Sequence, residues 1–457
     1  MMLERAALEQ LDREALIALV LAQQARVVAL AAQVAALTAR VDELGGQPPS
    51  PPPAVPPLPP FVKPARSAKA AKAARKRRAQ GFGRRRLVPT RTVEHALAAC
   101  PDCGAALGGG EVVRRRQVLH IPQAPVEVIE HVALRRVCPG CGHAHTPPLD
   151  LGAAVLDHQR VSIETMAYIA TLRAVGRLPL RTIQWLLAAL HGLRLSVGGL
   201  VGLLRAGADR AAPALAELRA RVRGSPVVNA DETGWREDGA NGYVWFFGTP
   251  ELRYFHRAAS RGGAVVAEVL GEAFEGALVS DFYAAYNTYV GPHQRCWAHL
   301  LRDVHDLRVA HPDDVGVAAW ADAVHAFYQE ATRQAGLDRP EGERPAARDA
   351  LERRLAALCA PYWAADCAAP QATLCRRVDL FLDELLTFVA DPAVPPDNNL
   401  AERSLRPLVI ARKISGGSRS AAGSATTMAL ASRFATWRAQ GRDPLAACRQ
   451  LLLAQTL

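Results

Sequence analysis

Three acidic residues, Asp231, Asp281 and Glu402, have the sequence context of a metal-binding catalytic site. Asp231 and Asp281 each end a short apolar run that is typical of a buried strand, and Glu402 lies in a segment that predicts the start of a helix. Neighbouring carboxylates raise one another's pKa unless a cation binds between them. Mg²⁺, or alternatively Mn²⁺, prefers oxygen ligands, and two such ions about 4 Å apart support phosphodiester chemistry. The three acids therefore predict a two-metal site that acts on nucleic acid.

The segments between the two aspartates indicate how they meet. The sequence predicts three hairpin-linked strands, a helix and a fourth strand, at residues 227–231, 243–247, 252–256, 263–270 and 277–281. Residues 294–299 are a candidate fifth strand that would contain His299, and a lone histidine on a strand is more often a core residue than a site residue. This order is expected of a ribonuclease H-like α/β fold, in which strands one and four lie side by side. We therefore expect Asp231 and Asp281 to be neighbours.

The third acid needs a helix to bring it to this pair. Asp397 or Asn398 is a candidate N-cap for a helix that turns Glu402 inward. Arg403 and Arg406 would then lie beside Glu402, where they suit DNA phosphates. Each acid taken alone also has an ordinary interpretation, as a turn residue or as half of a solvated ion pair. Three nearby acids compete for the same role: Glu232, Asp238 and Asp303.

Two Cys-x-x-Cys pairs, 34 residues apart, predict a zinc site formed by Cys100, Cys103, Cys138 and Cys141. Each pair makes a tight turn that directs two thiolates at one point, and two such turns complete a tetrahedral Zn²⁺ site. Alternating apolar and polar residues at 112–122 and 126–137 predict paired strands between the turns, as in a zinc ribbon. Four thiolates leave no open position, so the predicted zinc is structural. A redox-active cysteine pair is the alternative interpretation.

One segment accounts for all of the net charge of +11, because the rest of the chain is close to neutral. Residues 44–93 contain twelve Lys and Arg and no Asp or Glu, and a proline-rich run precedes the basic residues. This composition predicts a linker without a core, disordered in the absence of a partner. We expect it to contact DNA phosphates nonspecifically, the alternative being a solubilising charge run. The densest cluster is Lys76, Arg77, Arg78, Arg84, Arg85 and Arg86.

The N-terminal residues have a heptad pattern, with valines at a positions and leucines at d positions. Val20, Val27, Val34 and Val41 occupy the a positions, and Gln23 is the one polar residue of the seam. β-branched a residues with leucine at d favour a parallel two-stranded coiled coil, so we expect a homodimer or a larger assembly. A single amphipathic helix packed on its own domain is the alternative.

Residues 162–223 have a helical pattern. Within them, 178–185 and 195–200 resemble a helix, a turn and a second helix beginning near Ser196. A helix-turn-helix would place that second helix in a DNA major groove. A plain helical bundle that joins two domains is the alternative.

The composition limits the class of protein. At 457 residues, half of them hydrophobic, the chain is long enough for several cores. It has no uninterrupted run of eighteen apolar residues and no signal-peptide pattern, so neither membrane insertion nor secretion is expected. Nine cysteines, four of them in paired motifs, indicate reduced thiols. We expect a bacterial cytoplasmic protein that associates with the nucleoid.

Five motifs resemble signatures of the insertion-sequence-sixty-six transposase family. They are NADETGW at 229–235, SDFYAAY at 280–286, CWAHLLRD at 296–303, DNNLAERSLRP at 397–407 and ARKISGGS at 411–418. Nearly the whole chain follows that family's layout. The resemblance implies that Asp231, Asp281 and Glu402 are a DDE-type acidic triad, and it suggests small accessory proteins encoded beside the gene. Lys413, the one lysine outside the basic linker, lies in the last motif, where we expect a phosphate or DNA-end contact.

The resemblance also implies a helical insertion in the 121 residues from Asp281 to Glu402, and the helical patterns at 315–335 and 346–358 support it independently. The predicted domains are a coiled coil (1–45), a basic linker (46–95), a zinc-binding domain (96–150), a helical DNA-binding domain (151–224), a catalytic core in two parts (225–307 and 391–457, the second with the C-terminal helices) and the helical insertion (308–390).

Together these expectations describe a DNA transposase. It would cleave transposon ends in a metal-dependent reaction and then transfer the freed 3′-hydroxyl strand into target DNA. Two alternatives stay open: a catalytically inactive DNA-binding protein derived from a transposase, and a nuclease without joining activity.

Overall fold

The computed structural model describes residues 24–25, 28–29, 32–33, 86–122, 124–152, 154–156 and 159–454. The chain divides between Leu119 and His120 into two units. The predicted coiled coil and most of the basic linker lie outside the described residues, although the three described pairs near the N-terminus are helical. In the described ranges no helix is both long and apolar enough to cross a membrane.

In the first unit, Cys100 and Cys103 lie on a tight turn. Gly104 N donates to Cys100 O (2.9 Å) and Cys100 N donates to Ala105 O (2.8 Å), which closes the turn. The strand predicted at 112–122 is wrong, since these residues form no strand and both faces of the segment are exposed. An alternating pattern specifies a strand only where one face is buried.

The second unit contains the other cysteine pair. β1 (Arg136–Val137) pairs antiparallel with β2 (Ala144–His145), and the turn between them carries Cys138 and Cys141. Only the last two residues of the strand predicted at 126–137 are therefore in a strand. Val126 N instead donates to His191 O (2.7 Å), which uses its backbone group on a helix rather than on a neighbouring strand.

Four helices follow: α1 (Ile163–Ala174), α2 (Leu180–His191), α3 (Val197–Arg210) and α4 (Ala212–Arg223). Ser162 and Ser196 cap α1 and α3, and each side-chain oxygen accepts a hydrogen bond from the backbone N–H three residues later. α2 and α3, joined by the five residues 192–196, are the two helices that the sequence predicts at 178–185 and from Ser196 onward. The same helices share a core with the C-terminal helices α12 (Ala421–Ala439) and α13 (Pro444–Leu453).

A five-stranded mixed sheet forms the centre of the second unit. Its strands are β3 (Val227–Glu237), β4 (Ala240–Gly248), β5 (Arg253–Ala258), β6 (Ala277–Ser280) and β7 (His293–Arg295), in the order β5-β4-β3-β6-β7. β3, β4 and β5 pair antiparallel, whereas β6 is parallel to β3 and β7 is parallel to β6. The predicted adjacency of strands one and four is confirmed.

Two strand predictions need correction. β3 continues six residues beyond Asp231, because its pairing with β4 extends to Glu237 after its pairing with β6 ends at Asn229. Asp231 is therefore within a strand rather than at its end. The fifth strand stops at Arg295, and α6 (Trp297–Ala310) begins two residues later, so His299 lies on a helix.

Each face of the sheet is covered by helices. Val228, Ala230 and Leu278 face α4 and α5 (Ala264–Leu270) in one apolar cluster. The residues of opposite parity face two other clusters: one with α12 and α11 (Asn399–Ser415), and one with α6 and the helical insertion. Since side chains alternate along a strand, Asp231 and Asp281 belong to this second face.

The insertion is helical, as predicted. It comprises α7 (Val315–Ala335), α8 (Arg344–Cys359), α9 (Ala372–Leu380) and the short α10 (Thr387–Ala390). Its apolar side chains pack on those of α6 and on Ala277 and Val279 of β6. Short 3₁₀ helices lie at Ala284–Thr288, Glu341–Glu343 and Ala360–Tyr362.

Candidate active site

The parallel pairing of β3 and β6 brings the two aspartates together. Asn229 lies opposite Val279 in this pairing. Asp231 lies two residues after Asn229 within β3, and Asp281 lies two residues after Val279, directly beyond the end of β6. Continuation of the same register would place the two side by side, and the Asp281 carboxylate is close enough to raise the pKa of Asp231. Backbone N–H groups orient both carboxylates: Asp231 Oδ1 accepts from Glu232 N (2.8 Å), and Asp281 Oδ1 accepts from Tyr283 N (2.9 Å).

Asn398 fixes the start of the Glu402 helix to the same strand. This residue is fully buried, and its Nδ2 donates to Ala230 O (2.7 Å) while its Oδ1 accepts from Asn229 Nδ2 (2.9 Å). Asn398 is the N-cap residue by position, but its side chain does not cap α11; Asp397 Oδ1 accepts from Asn399 N (3.0 Å) instead. Glu402 lies in the first turn of α11 and is thereby held next to β3.

His299 lies beside Glu402, on a helix rather than on the predicted strand. Its Nε2 lies 3.6 Å from Glu402 Oε1. Two hydrogen bonds from backbone N–H groups hold the start of α6 to the start of α11: Trp297 N donates to Pro396 O (3.0 Å), and Asn398 N donates to Cys296 Sγ (3.1 Å). Cys296 and His299 are three residues apart, close to one helical turn, and both contact the start of α11. This spacing predicts a helix at 296–299, whereas the alternating pattern of 294–299 predicts a strand.

The negative charges around Asp231 repel one another unless a cation binds between them. Burial raises the pKa of Asp231 to about 8, and the carboxylates of Glu232, Asp281 and Glu402 contribute in the same direction. Among the described residues, Glu402 Oε1 is a buried acceptor without a hydrogen-bond partner. Buried carboxylates normally have partners, so this arrangement has the donor set and the excess negative charge that a divalent cation would neutralise.

The competing acids have other partners. The side chain of Glu232 is 1% exposed and bonds to Arg261 Nη2 (2.7 Å) and to the Tyr286 hydroxyl. Asp303 pairs with Arg377. Asp238 occupies the β3–β4 turn with a positive φ of 49°. These three acids are therefore engaged in structure.

The described residues contain no ready-made metal site of three or more His, Cys, Asp or Glu side chains. Asp231, Asp281 and Glu402 are therefore not preassembled as a three-carboxylate site. Mg²⁺ usually binds through one or two carboxylates and takes its other ligands from water and substrate phosphates, so two of the acids would be enough to hold it. In the cysteine turns, backbone N–H groups of Asp102 and Cys103 lower the pKa of Cys100, and those of Cys141 and Gly140 lower the pKa of Cys138. Both turns thus favour the thiolate, the form that binds Zn²⁺.

Three basic residues of α11 are exposed: Arg403, Arg406 and Lys413. Arg406 and Lys413 follow Glu402 by four and eleven residues, which places them on the same helical face, and Arg403 is adjacent. Near its end α11 is fastened to β3, because Arg412 Nη1 donates to Thr233 Oγ1 (3.2 Å). Of the predicted basic cluster at 76–86, the structure describes Arg86, which is exposed; the others lie outside the described residues.

Comparisons with known proteins agree with this geometry. The model of the Transposase IS66 family matches residues 158–426, and the zinc-finger binding domain of transposase IS66 matches residues 98–142. An uncharacterized protein of Sinorhizobium fredii, y4jO, is 30% identical over 213 residues, which are 46% of this chain and 61% of that protein. The chain thus matches less than two thirds of that relative's length.

The family match spans more than half of the chain and includes all three acids, both strands of the aspartates and the helix of Glu402. The zinc-finger match includes both cysteine pairs. The chain belongs to the IS66 family of transposases.

Proposed function

We propose that the protein is a DDE-type DNA transposase that cleaves transposon ends and transfers the 3′-hydroxyl strand into target DNA. The observation that supports this proposal most is the proximity of Asp231 to Asp281 and Glu402, whose carboxylates both contribute to its raised pKa. The β3–β6 register accounts for the first neighbour, and the Asn398 hydrogen bonds to β3 account for the second. The order of the five strands, with β6 parallel to β3, supports a ribonuclease H-like core.

The three acids would hold Mg²⁺, or alternatively Mn²⁺. When bound, such ions activate the attacking oxygen and stabilise the leaving one in phosphodiester chemistry. The chain's own contribution is orientation: backbone N–H groups fix the two aspartates, and Asn398 fixes the helix of Glu402. Arg403, Arg406 and Lys413 would bind DNA phosphates next to the acids.

The other modules would bind DNA and assemble the protein. We assign a structural Zn²⁺ to Cys100, Cys103, Cys138 and Cys141, in line with the zinc-finger match. The basic linker and α3 would contact DNA, and the N-terminal heptads would form a homodimer or a larger assembly. A role with accessory proteins, and a place in the bacterial cytoplasm at the nucleoid, belong to the same proposal.

Strand cleavage by the full-length protein tests the proposal. The substrate is a labelled duplex that carries the element end flanking the gene, with Mg²⁺ present. We expect Asp231→Asn to lower cleavage by at least about 100-fold and to leave DNA binding in a mobility-shift assay intact. Asp303→Asn is the matched control, since Asp303 pairs with Arg377, and it should cleave normally.

Each alternative function has its own outcome in this experiment. Cleavage that persists in Asp231→Asn would contradict the triad. Cleavage without joining of the labelled 3′ ends to a target plasmid would indicate a nuclease. DNA binding by the wild type without any cleavage would indicate an inactive descendant.

A further inference from the structure

Arg295 and Glu384 form a charged pair behind Asp281, on the side of the sheet edge away from the other two acids. Arg295 is fully buried at the end of β7, and its Nε donates to Glu384 Oε2 (2.5 Å). Glu384 lies between α9 and α10, in the helical insertion. The pair therefore joins the insertion to the central sheet.

All three nitrogens of the Arg295 guanidinium donate hydrogen bonds. Nη1 donates to Asp281 O (2.9 Å), and Nη2 donates to Asn287 Oδ1 (2.7 Å). The guanidinium carbon lies 4.5 Å from the centre of the Phe381 ring, another residue of the insertion. Because the guanidinium is planar and has a fixed fork of donors, Glu384 on one edge determines where the opposite edge meets the backbone of Asp281.

The insertion also contacts the residue after Asp281. The ring of Phe282 packs against that of Phe381, with 5.6 Å between their centres, and the guanidinium of Arg377 lies 5.3 Å from the Phe282 ring. The segment that holds Glu384 is itself bound to β7, since Thr387 Oγ1 donates to His293 O (2.6 Å) and Phe388 N donates to Gln294 Oε1 (2.9 Å).

We infer that Glu384 and Arg295 are positioning residues for the Asp281 carboxylate, so that the helical insertion is part of the frame of the metal site. This inference rests on the proposed function of Asp281. A buried ion pair is a weak source of stability compared with apolar residues of similar size, so stability alone gives little reason for this pair. The hydrogen bond from Arg295 to the backbone oxygen of Asp281 supplies a reason for the pair.

Mn²⁺ binding to the full-length protein, followed by electron paramagnetic resonance, tests the inference without DNA. We expect Glu384→Ala to weaken Mn²⁺ binding by about 10-fold or more, as loss of a residue that orients a ligand usually does. Glu384→Gln keeps an acceptor for Arg295 Nε and should bind nearly as well as wild type. Glu330→Ala is the matched control, because it breaks the Arg333–Glu330 ion pair of α7, in the same insertion and of similar exposure.

A double variant separates positioning from folding. Glu384→Ala leaves a buried cation without its carboxylate, whereas Arg295→Met with Glu384→Leu leaves none, so the double variant should fold even where the single one does not. We expect the double variant to retain weakened Mn²⁺ binding, since the hydrogen bond to Asp281 O is gone. Wild-type Mn²⁺ affinity in a folded Glu384→Ala protein, or in the double variant, would overturn the inference.

The same titration on Asp281→Asn distinguishes this failure from that of the proposed function. If Asp281→Asn binds Mn²⁺ as wild type does, the metal site itself is wrong. If Asp281→Asn loses Mn²⁺ binding, while Glu384→Ala and the double variant bind Mn²⁺ as wild type does, the metal site holds and the positioning role is rejected.

Discussion

Two groups of charged side chains lie on either side of Asp281, and they are organised in opposite ways. The acid cluster consists of Asp231, Asp281 and Glu402. In this cluster the pKa of Asp231 is raised, and Glu402 Oε1 accepts no hydrogen bond from the described residues. The arginine network, Arg295 with Glu384, His293, Ser280 and Asn287, pairs its charges and its polar atoms. Burial and Arg295 keep the pKa of His293 well below its usual range, so that imidazole adds no charge.

The difference shows how function and structure can be told apart in buried charge. A satisfied network stabilises one arrangement, so its removal should lower the free energy of unfolding as well as weaken metal binding. An unsatisfied cluster is tolerated at a cost in stability, so its removal should lower activity without lowering the free energy of unfolding. The comparison is contradicted by a network variant that leaves the free energy of unfolding unchanged, or by an acid-cluster variant that lowers it.

The largest effect is expected from removing one carboxylate of the acid cluster. Glu402→Gln should lower Mg²⁺-dependent cleavage by at least about 100-fold, because it removes a negative charge at the site where the metal binds. Its unfolding midpoint in urea should not fall. Glu352→Gln, a change of the same kind on α8, serves as the control, and a loss of cleavage there would show that the assay reports folding.

Loss of a residue of the arginine network should lower the free energy of unfolding. Arg295→Ala leaves the partly buried Glu384 without its cation and Asp281 O without its donor, and we expect the free energy of unfolding to fall by about 3 kcal/mol. Urea denaturation without metal measures this change. A loss below about 1 kcal/mol would mean that the network does not hold the sheet edge, and the contrast between the two groups would disappear.

Asn398 shares one property with each group. Its side-chain hydrogen bonds are made, as in the arginine network, and it positions Glu402, a member of the acid cluster. Asn398→Ala leaves Asn229 and Ala230 O without partners, and we expect a loss of about 1–3 kcal/mol. Asn399→Ala, one residue further along α11, is the control. Equal losses in the two variants would contradict the role of Asn398 as the link to β3.

The smallest effect concerns the pH dependence of stability. Asp231 has a pKa of about 8 in the folded protein and an ordinary pKa when unfolded, so the folded state binds the extra proton between about pH 4 and pH 8. Stability without metal should therefore fall as pH rises through this window. Asp231→Asn should remove that slope and be more stable than wild type at pH 8, by on the order of 1–2 kcal/mol for this partly exposed group, with no gain at pH 4.

Thermal melts in EDTA from pH 4 to pH 8 measure this slope, and Asp303→Asn should leave it unchanged. A wild-type stability that does not decrease with rising pH would contradict the raised pKa of Asp231 and the burial that is its main cause.

The sequence predicted the strands of the sheet better than those of the zinc-binding region, for a physical reason. Apolar runs such as 277–280 are buried on both faces by the sheet's helices, so pattern and structure agree. The alternation at 112–122 and 126–137 had the same appearance, yet most of these residues are exposed and only Arg136–Val137 has a strand partner among the described residues. Periodicity reports how a segment would bury itself, and the partner that buries it is a property of the whole fold.

For the candidate site, sequence alone determined which residue types were present, their order on the strands and their membership of recognisable motifs. That was enough to predict Asp231 and Asp281 as neighbours, since strand order follows from short-range hairpins and one helical crossover. Three features required the tertiary structure: the place of Glu402, fixed by the buried hydrogen bonds of Asn398; the contact of His299 with Glu402; and the reach of the insertion to Asp281 through Arg295. These contacts join residues far apart in the chain or on different elements, and no local pattern encodes which distant partner a buried polar side chain will meet.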